Sequence, residues 1–115
     1  MKKNPRIFLE HILESILEIK NYTTGLTKSQ FSHDKKTQDA VIRRLEIIGE
    51  AARRLSDETR QNLPVIPFNT MADMRNLLIH EYDDVDLSIV WDTIQNDLPP
   101  LITTLEKIVP PDETT

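Results

Sequence analysis

Cysteine is absent from this sequence, which excludes a disulfide framework, a thiolate metal site and a cysteine nucleophile. Glycine is scarce, with two residues in 115, and no stretch alternates β-branched with polar residues. Strands joined by tight hairpins are therefore not expected, and an all-α domain is. No apolar run approaches the ~20 residues that cross a bilayer. The opening stretch "MKKNPRIFLEH" has charges inside its apolar part, unlike a signal peptide. A cytoplasmic protein with no membrane partner is the expectation.

Positive charge is the other scarcity, and it is unevenly spread. Residues 1–60 hold 12 Lys/Arg against 9 Asp/Glu, a net of +3, whereas residues 61–115 hold 2 against 10, a net of −8. An acidic chain is a poor nonspecific nucleic-acid binder, because phosphate neutralisation drives that binding. Any RNA contact has to be local, with help from the basic first half. The plainer reading is that both halves carry solvated charged faces.

What is present reads as helices. Asn4 can cap a first helix, Pro5 suits its first position, and Leu9, Ile12, Ile16 and Ile19 recur at threes and fours until Gly25 stops it. "LTKSQFSHD" reads as a connector. A second helix runs from about Lys36 to Leu55, its stripe being Val41, Leu45, Ile48, Ala52 and Leu55. Gly49 beside Ala51 and Ala52 permits close helix contact. Ser56 opens a short helix to about Leu63, and "PVIPF" reads as extended. A third long helix begins near Asn69 or Thr70, carries Met71, Met74 and Leu78 inward, and fades around His80 to Tyr82. Asp86 caps a further helix with Leu87, Val90, Trp91 and Ile94, Trp91 being a core residue. Pro99 and Pro100 kink or divide it before "LITTLEKIV". The expected architecture is one all-α domain over residues 1–109, an up-and-down bundle of four to five helices, with residues 110–115 as a disordered tail.

One stretch departs from generic bundle sequence: "MRNLLIHEYDD", Met74 to Asp84. Arg75 is the single Lys or Arg between Arg60 and Lys107. On a regular helix Arg75 and Tyr82 share a face within ~20°, and Asn76 shares one with His80. Arg75 and His80 lie ~140° apart around the same cylinder. They can converge if the helix ends near His80, or if two chains face each other across a two-fold cleft. Arginine offers planar, permanently charged donors to phosphate. Histidine moves protons near neutrality. With Asn76 in support, the set suits attack by an RNA 2′-hydroxyl on its own phosphodiester, with Arg75 stabilising the transition state and no metal required. The bland alternative is an arginine paired with Glu81, Asp83, Asp84 or Asp86, a histidine placed by the helix dipole, and a half-core tyrosine.

"RNLLIHEY" resembles the R-x4-H-x-Y signature of HepT-like toxins, members of the HEPN superfamily. "TQDAVIRRLEIIGEAARRLS", "LPVIPFNTMADMRN" and "VDLSIVWDTIQNDLPPL" resemble the family's segments around it, so the likeness spans nearly the whole chain. The resemblance implies a HEPN-like helical bundle, a homodimer and metal-independent RNA endonuclease activity. It also implies a toxin–antitoxin module whose antitoxin is a minimal nucleotidyltransferase, MNT. That partner, using ATP and Mg2+ that the toxin itself does not need, transfers AMP to the motif tyrosine. Carried over by position, Arg75 and His80 are catalytic, Asn76 supports them, and Tyr82 is the AMPylated residue. A rival reading keeps the motif but not the cleavage: a non-catalytic helical partner that serves as the substrate-binding subunit of a nucleotidyltransferase.

Other candidates are weaker. His11 and His33 have no partners at useful spacing and read as solvated. Glu81, Asp83, Asp84 and Asp86 offer oxygen ligands but lack the loop glycine of a calcium hand, so no metal site is expected. The pairs Arg43–Arg44 and Arg53–Arg54 fit an RNA groove and simple solvation equally well.

Overall fold

The computed structural model describes residues 4–68, 71 and 86–109. Every regular element among the described residues is helical, and the fold is the expected all-α, HEPN-like one. Helix α1 is Pro5–Thr23. It starts where expected, because Asn4 is extended and its side chain accepts the Arg6 N–H at 2.9 Å, with Pro5 at the first position. It stops where Gly25 takes φ +83°, a region glycine enters without strain. The next N–H, from Leu26, donates back to the Thr23 carbonyl at 3.1 Å.

The expected connector after α1 is instead partly helical: α2 is Lys28–Ser32. A reciprocal cap makes it so. Thr27 accepts the Gln30 N–H at 3.1 Å, and the Gln30 side chain accepts the Thr27 N–H at 2.9 Å. Phe31 then anchors this single turn by burying nearly its whole ring. Helix α3 is Lys35–Arg54, one residue earlier at each end than expected. Asp34 caps it, its carboxylate accepting both the N–H of Thr37 (3.1 Å) and its hydroxyl (2.6 Å).

Ser56 caps α4, Asp57–Asn62, by accepting the Thr59 N–H. From α4, Arg60 folds back on the end of α3, donating to the carbonyls of Leu55 at 3.2 Å and Arg53 at 3.1 Å, which α3 leaves without helical donors. "PVIPF" is not extended. The Ile66 N–H reaches the Leu63 carbonyl at 3.1 Å, closing a turn with Pro64 at its second position. A second, tighter bond joins Phe68 N–H to the Ile66 carbonyl at 2.9 Å. The helical pattern resumes earlier than expected, at Phe68, and the Met71 N–H donates to the Pro67 carbonyl.

The last stretch is α5, Leu87–Asp92, a π-helical turn, Thr93–Asp97, and α6, Leu98–Ile108. The prolines do not stop the helical path. They fall in the first turn of α6, where a missing N–H costs least. The turn before them widens to the π pattern, with Leu98 N–H donating five residues back to Thr93. A proline ring clashes with the carbonyl four residues earlier, and a wider turn relieves that clash.

Both expected apolar stripes are buried: Leu9, Ile12, Ile16 and Ile19 on α1, and Val41, Leu45, Ile48, Ala52 and Leu55 on or ending α3. These two helices form the main interface of the core, and α6 packs on α1 beside them. Ser15, also buried, is small enough to let a neighbouring helix approach α1 closely. Each fully buried aliphatic side chain contributes roughly 1.5–3 kcal/mol relative to an exposed one. Trp91 is only half-buried, against the expectation of a core position. Its ring packs on Phe31, centroids 5.3 Å apart, and the rest meets solvent. Residues 110–115, read as a tail, lie outside the described residues.

Candidate functional site

Arg75, Asn76, His80 and Tyr82 lie outside the described residues, as do Met74, Leu78, Glu81, Asp83 and Asp84. Burial holds the described residues before them, and a helix cap holds those after. On the approach, Ile66, Phe68 and Met71 are all buried, Met71 completely, as its expected inward position requires. On the exit, the Asp86 carboxylate accepts the N–H groups of Ser88 at 2.9 Å and Ile89 at 3.3 Å, capping α5. The last acid of "DDVD" thus has a structural task of its own. Among the described residues no group of three His, Cys, Asp or Glu is placed to hold a metal ion.

Two of the four arginines in the α3 pairs have an acidic neighbour on the same helix. Arg43 lies 3.8 Å from Glu46, and Arg54 lies 3.3 Å from Glu50, both in exposed pairs on their own helix. Such pairs are worth little to stability and leave modest net charge. Arg53 is exposed and Arg44 half-buried. His11 is exposed, as expected. His33, just past the end of α2, is exposed too, and its Nδ1 sits 2.8 Å from the Ser29 carbonyl, which an Nδ1–H tautomer satisfies.

Among the clefts of the described surface, two join separate parts of the chain. One, of about 660 Å³, lies between the start of α1 and the α3–α4 junction, where Phe8, Leu55, Arg54 and Asn62 meet. The other, of about 530 Å³, lies between the end of α1 and the π-turn with α6. Its floor is Ile16, Leu98 and Ile102, and its polar rim includes Lys20, Gln95 and Glu106. Neither was foreseen from sequence. Each joins residues from opposite ends of the chain or from separate helices, and periodicity within one helix does not report that. The one available signal was the Pro99–Pro100 pair, which distorts the wall of the second cleft.

Comparison with known proteins places this architecture. Residues 12–108 match the family described as "Ribonuclease HepT-like". The chain is 45% identical over 109 residues to a Methanocaldococcus jannaschii protein named "Gamma-glutamylcyclotransferase and putative RNase", covering 95% of this chain and 49% of that one. It therefore spans about half the length of that relative. It is 43% identical over 108 residues to the "Probable ribonuclease HepT" of Thermococcus cleftensis, covering 94% of this chain and 98% of the relative. No solved structure matches.

Proposed function

Since the chain belongs to the HepT-like ribonuclease family, we propose that it is the toxin of a two-gene toxin–antitoxin module and cuts RNA internally without a metal ion. The observation that carries this reading is the extent of the family match. It covers residues 12–108, so it takes in "RNLLIHEY" together with the helices on both sides. The near full-length likeness to a protein named as a ribonuclease supports the same activity.

In the proposed reaction His80 accepts the proton of an RNA 2′-hydroxyl. The freed oxygen attacks the adjacent phosphorus, the bond to the 5′-oxygen breaks, and that oxygen is reprotonated. Arg75 holds the phosphate oxygens as charge builds on them, and Asn76 steadies the pair. The products are a 2′,3′-cyclic phosphate and a 5′-hydroxyl. The ~140° between Arg75 and His80 on an ideal helix is met by a homodimer cleft to which both protomers contribute. The site of action is cytoplasmic RNA.

The regulatory half of the proposal is AMPylation of Tyr82 by a cognate MNT nucleotidyltransferase. The tyrosine oxygen attacks the α-phosphorus of ATP, pyrophosphate leaves, and a negatively charged nucleotide is installed two residues from His80. It pairs with Arg75 and repels RNA phosphate.

The test uses the intact chain. Cleavage that persists in EDTA and leaves a cyclic phosphate supports the reading. Arg75→Ala and His80→Ala each abolish cleavage and growth inhibition with the helical circular dichroism retained. Incubation with the neighbouring nucleotidyltransferase, ATP and Mg2+ adds mass in AMP-sized steps, lost in Tyr82→Phe. Strict dependence on added magnesium removes the mechanism. A Tyr82→Phe protein still silenced by the partner removes the switch.

A further inference from the structure

The apolar residues of the last helical path carry two patterns at once. On a regular α-helix Leu87, Trp91, Ile94 and Leu98 fall within a band of ~60°, and Val90 lies ~80° from Leu98. Burial follows the other pattern. Val90, Ile94 and Leu98 are buried at steps of four, whereas Leu87 and Trp91 are only partly covered. Steps of four drift by ~40° each on an α-helix. The π-turn of Thr93–Asp97 removes that drift by fitting one more residue between α5 and α6 than an α-turn holds.

The two sides of the turn are held unequally. Beyond it, Leu98, Leu101 and Leu105 fix α6 in the core. Before it, α5 is held lightly: Val90 is its one buried side chain, beside the contact of Trp91 with Phe31. Pro99 and Pro100 have no N–H for the Gln95 and Asn96 carbonyls, and in a regular α-helix their rings would press on those same carbonyls. The prolines thus penalise the α register, although that register would bury Leu87 and Trp91, a larger apolar pair than Val90 alone.

We propose that Pro99 and Pro100 are positioning residues for the Arg75–Tyr82 motif. By holding the π-turn they keep Val90 inward, and so they set where α5 begins. Loss of the extra residue from the turn would rotate α5 by ~100° and displace it by ~1.5 Å along its axis, with Trp91 taking the place of Val90. Asp86 caps α5 through its own neighbours, Ser88 and Ile89, so the cap travels with the helix. Three residues separate Asp86 from Tyr82, and the exit of the motif moves with it. The π register is the one that cuts. The register itself is independent of the ribonuclease reading; its effect on cleavage rests on that reading.

The experiment uses the full chain and its single tryptophan, Trp91, with RNA cleavage measured alongside. Pro99→Ala/Pro100→Ala is expected to move α5 to the α register. Trp91 emission shifts to shorter wavelength, iodide quenching falls, and the helical circular dichroism is kept. The kcat for RNA falls by about 10²-fold, the order expected for a misplacement of about 1 Å, while KM changes little. Adding Leu87→Gln removes an apolar side chain that only the α register buries fully, and it returns emission, quenching and kcat toward the wild-type values. A merely destabilising effect of the proline changes predicts further loss from the third substitution, not recovery. Val90→Gln weakens the π register with the prolines in place and gives the same emission shift, so it decides the register if the proline variant loses helicity. Unshifted Trp91 emission in these variants, or no recovery with Leu87→Gln, overturns the register. Shifted emission with kcat unchanged overturns the positioning role. A wild-type chain that cuts no RNA removes the ribonuclease reading and the positioning role with it, while the emission series still decides the register.

Discussion

Helix α3 and the α5–α6 stretch are close in length and opposite in regularity. The first runs 20 residues without a break, although it contains Gly49. The second divides into α5 of 6 residues, a π-turn of 5 and α6 of 11. Glycine costs a helix roughly 1 kcal/mol of conformational entropy but keeps its N–H and adds no bulk. Proline removes a donor and presses on the carbonyl four residues back. The first disturbance leaves the geometry intact, and the second changes it. Here the change is absorbed by one wider turn rather than by a stop, because Leu98 before the prolines and Leu101 and Leu105 beyond them all bury against the core. The regular helix therefore forms the larger part of the core, and the irregular one carries the π-turn that borders the cleft at the end of α1.

That contrast can be broken most directly in the core. Ile48, fully buried on α3, faces the main interface, whereas Ile102 on α6 is partly exposed in the cleft. Ile48→Ala is expected to cost about 2–5 kcal/mol, the range for emptying a close-packed site. Ile102→Ala should cost clearly less, because part of its side chain already meets water. Urea midpoints at matched slopes measure both. Equal losses would show that the two helices carry the core alike. A smaller effect, of opposite sign, is expected from Pro99→Ala/Pro100→Ala. Restoring two donors inside a continuous helical path should raise stability by about 1 kcal/mol, visible as a higher thermal midpoint. A fall in the midpoint would mean that the prolines hold the π-turn in a geometry the packing needs.

The same contrast governs how much was legible in the sequence. The stripes of α1 and α3 were read correctly because long amphipathic helices repeat their signal every turn, and burial of Ile12, Ile16, Val41 and Ile48 enforces it. Short elements failed. The single turn of α2 depends on Thr27 and Gln30 capping each other and on Phe31 finding a pocket, too little sequence for periodicity to register. The reciprocal Thr–x–x–Gln pattern was there to be read. "PVIPF" reads as extended in sequence because each proline pushes its predecessor out of the helical region. The same residue at the second position of a turn permits a tight bend. The motif residues Arg75, His80 and Tyr82 were named from their chemistry and family pattern, which needs no fold. The cleft was missed because Lys20 and Glu106 meet only through packing of α6 on α1.

The smallest expected effect lies at the start of α3 and concerns pH. The Asp34 carboxyl is held below its usual value, first by the Thr37 hydroxyl and then by the Thr37 N–H, both donating to it. A carboxyl whose pKa is lowered on folding stabilises the folded state above its unfolded pKa. That contribution is lost as pH falls through the lower, folded value, when the protonated group no longer accepts both bonds as an anion. Asparagine also caps helices well but does not titrate. The wild-type chain should therefore have the higher thermal midpoint relative to Asp34→Asn at pH 7, by an unchanged margin at pH 5. The margin should narrow at still lower pH, below the ordinary carboxylate range. Because Asp34 is only half-buried, the shift in midpoint is small, and salt should shrink it further. A margin that stays constant down to strongly acid pH would show that the cap works by shape and hydrogen bonding alone, with the charge on Asp34 contributing nothing to the regular helix it begins.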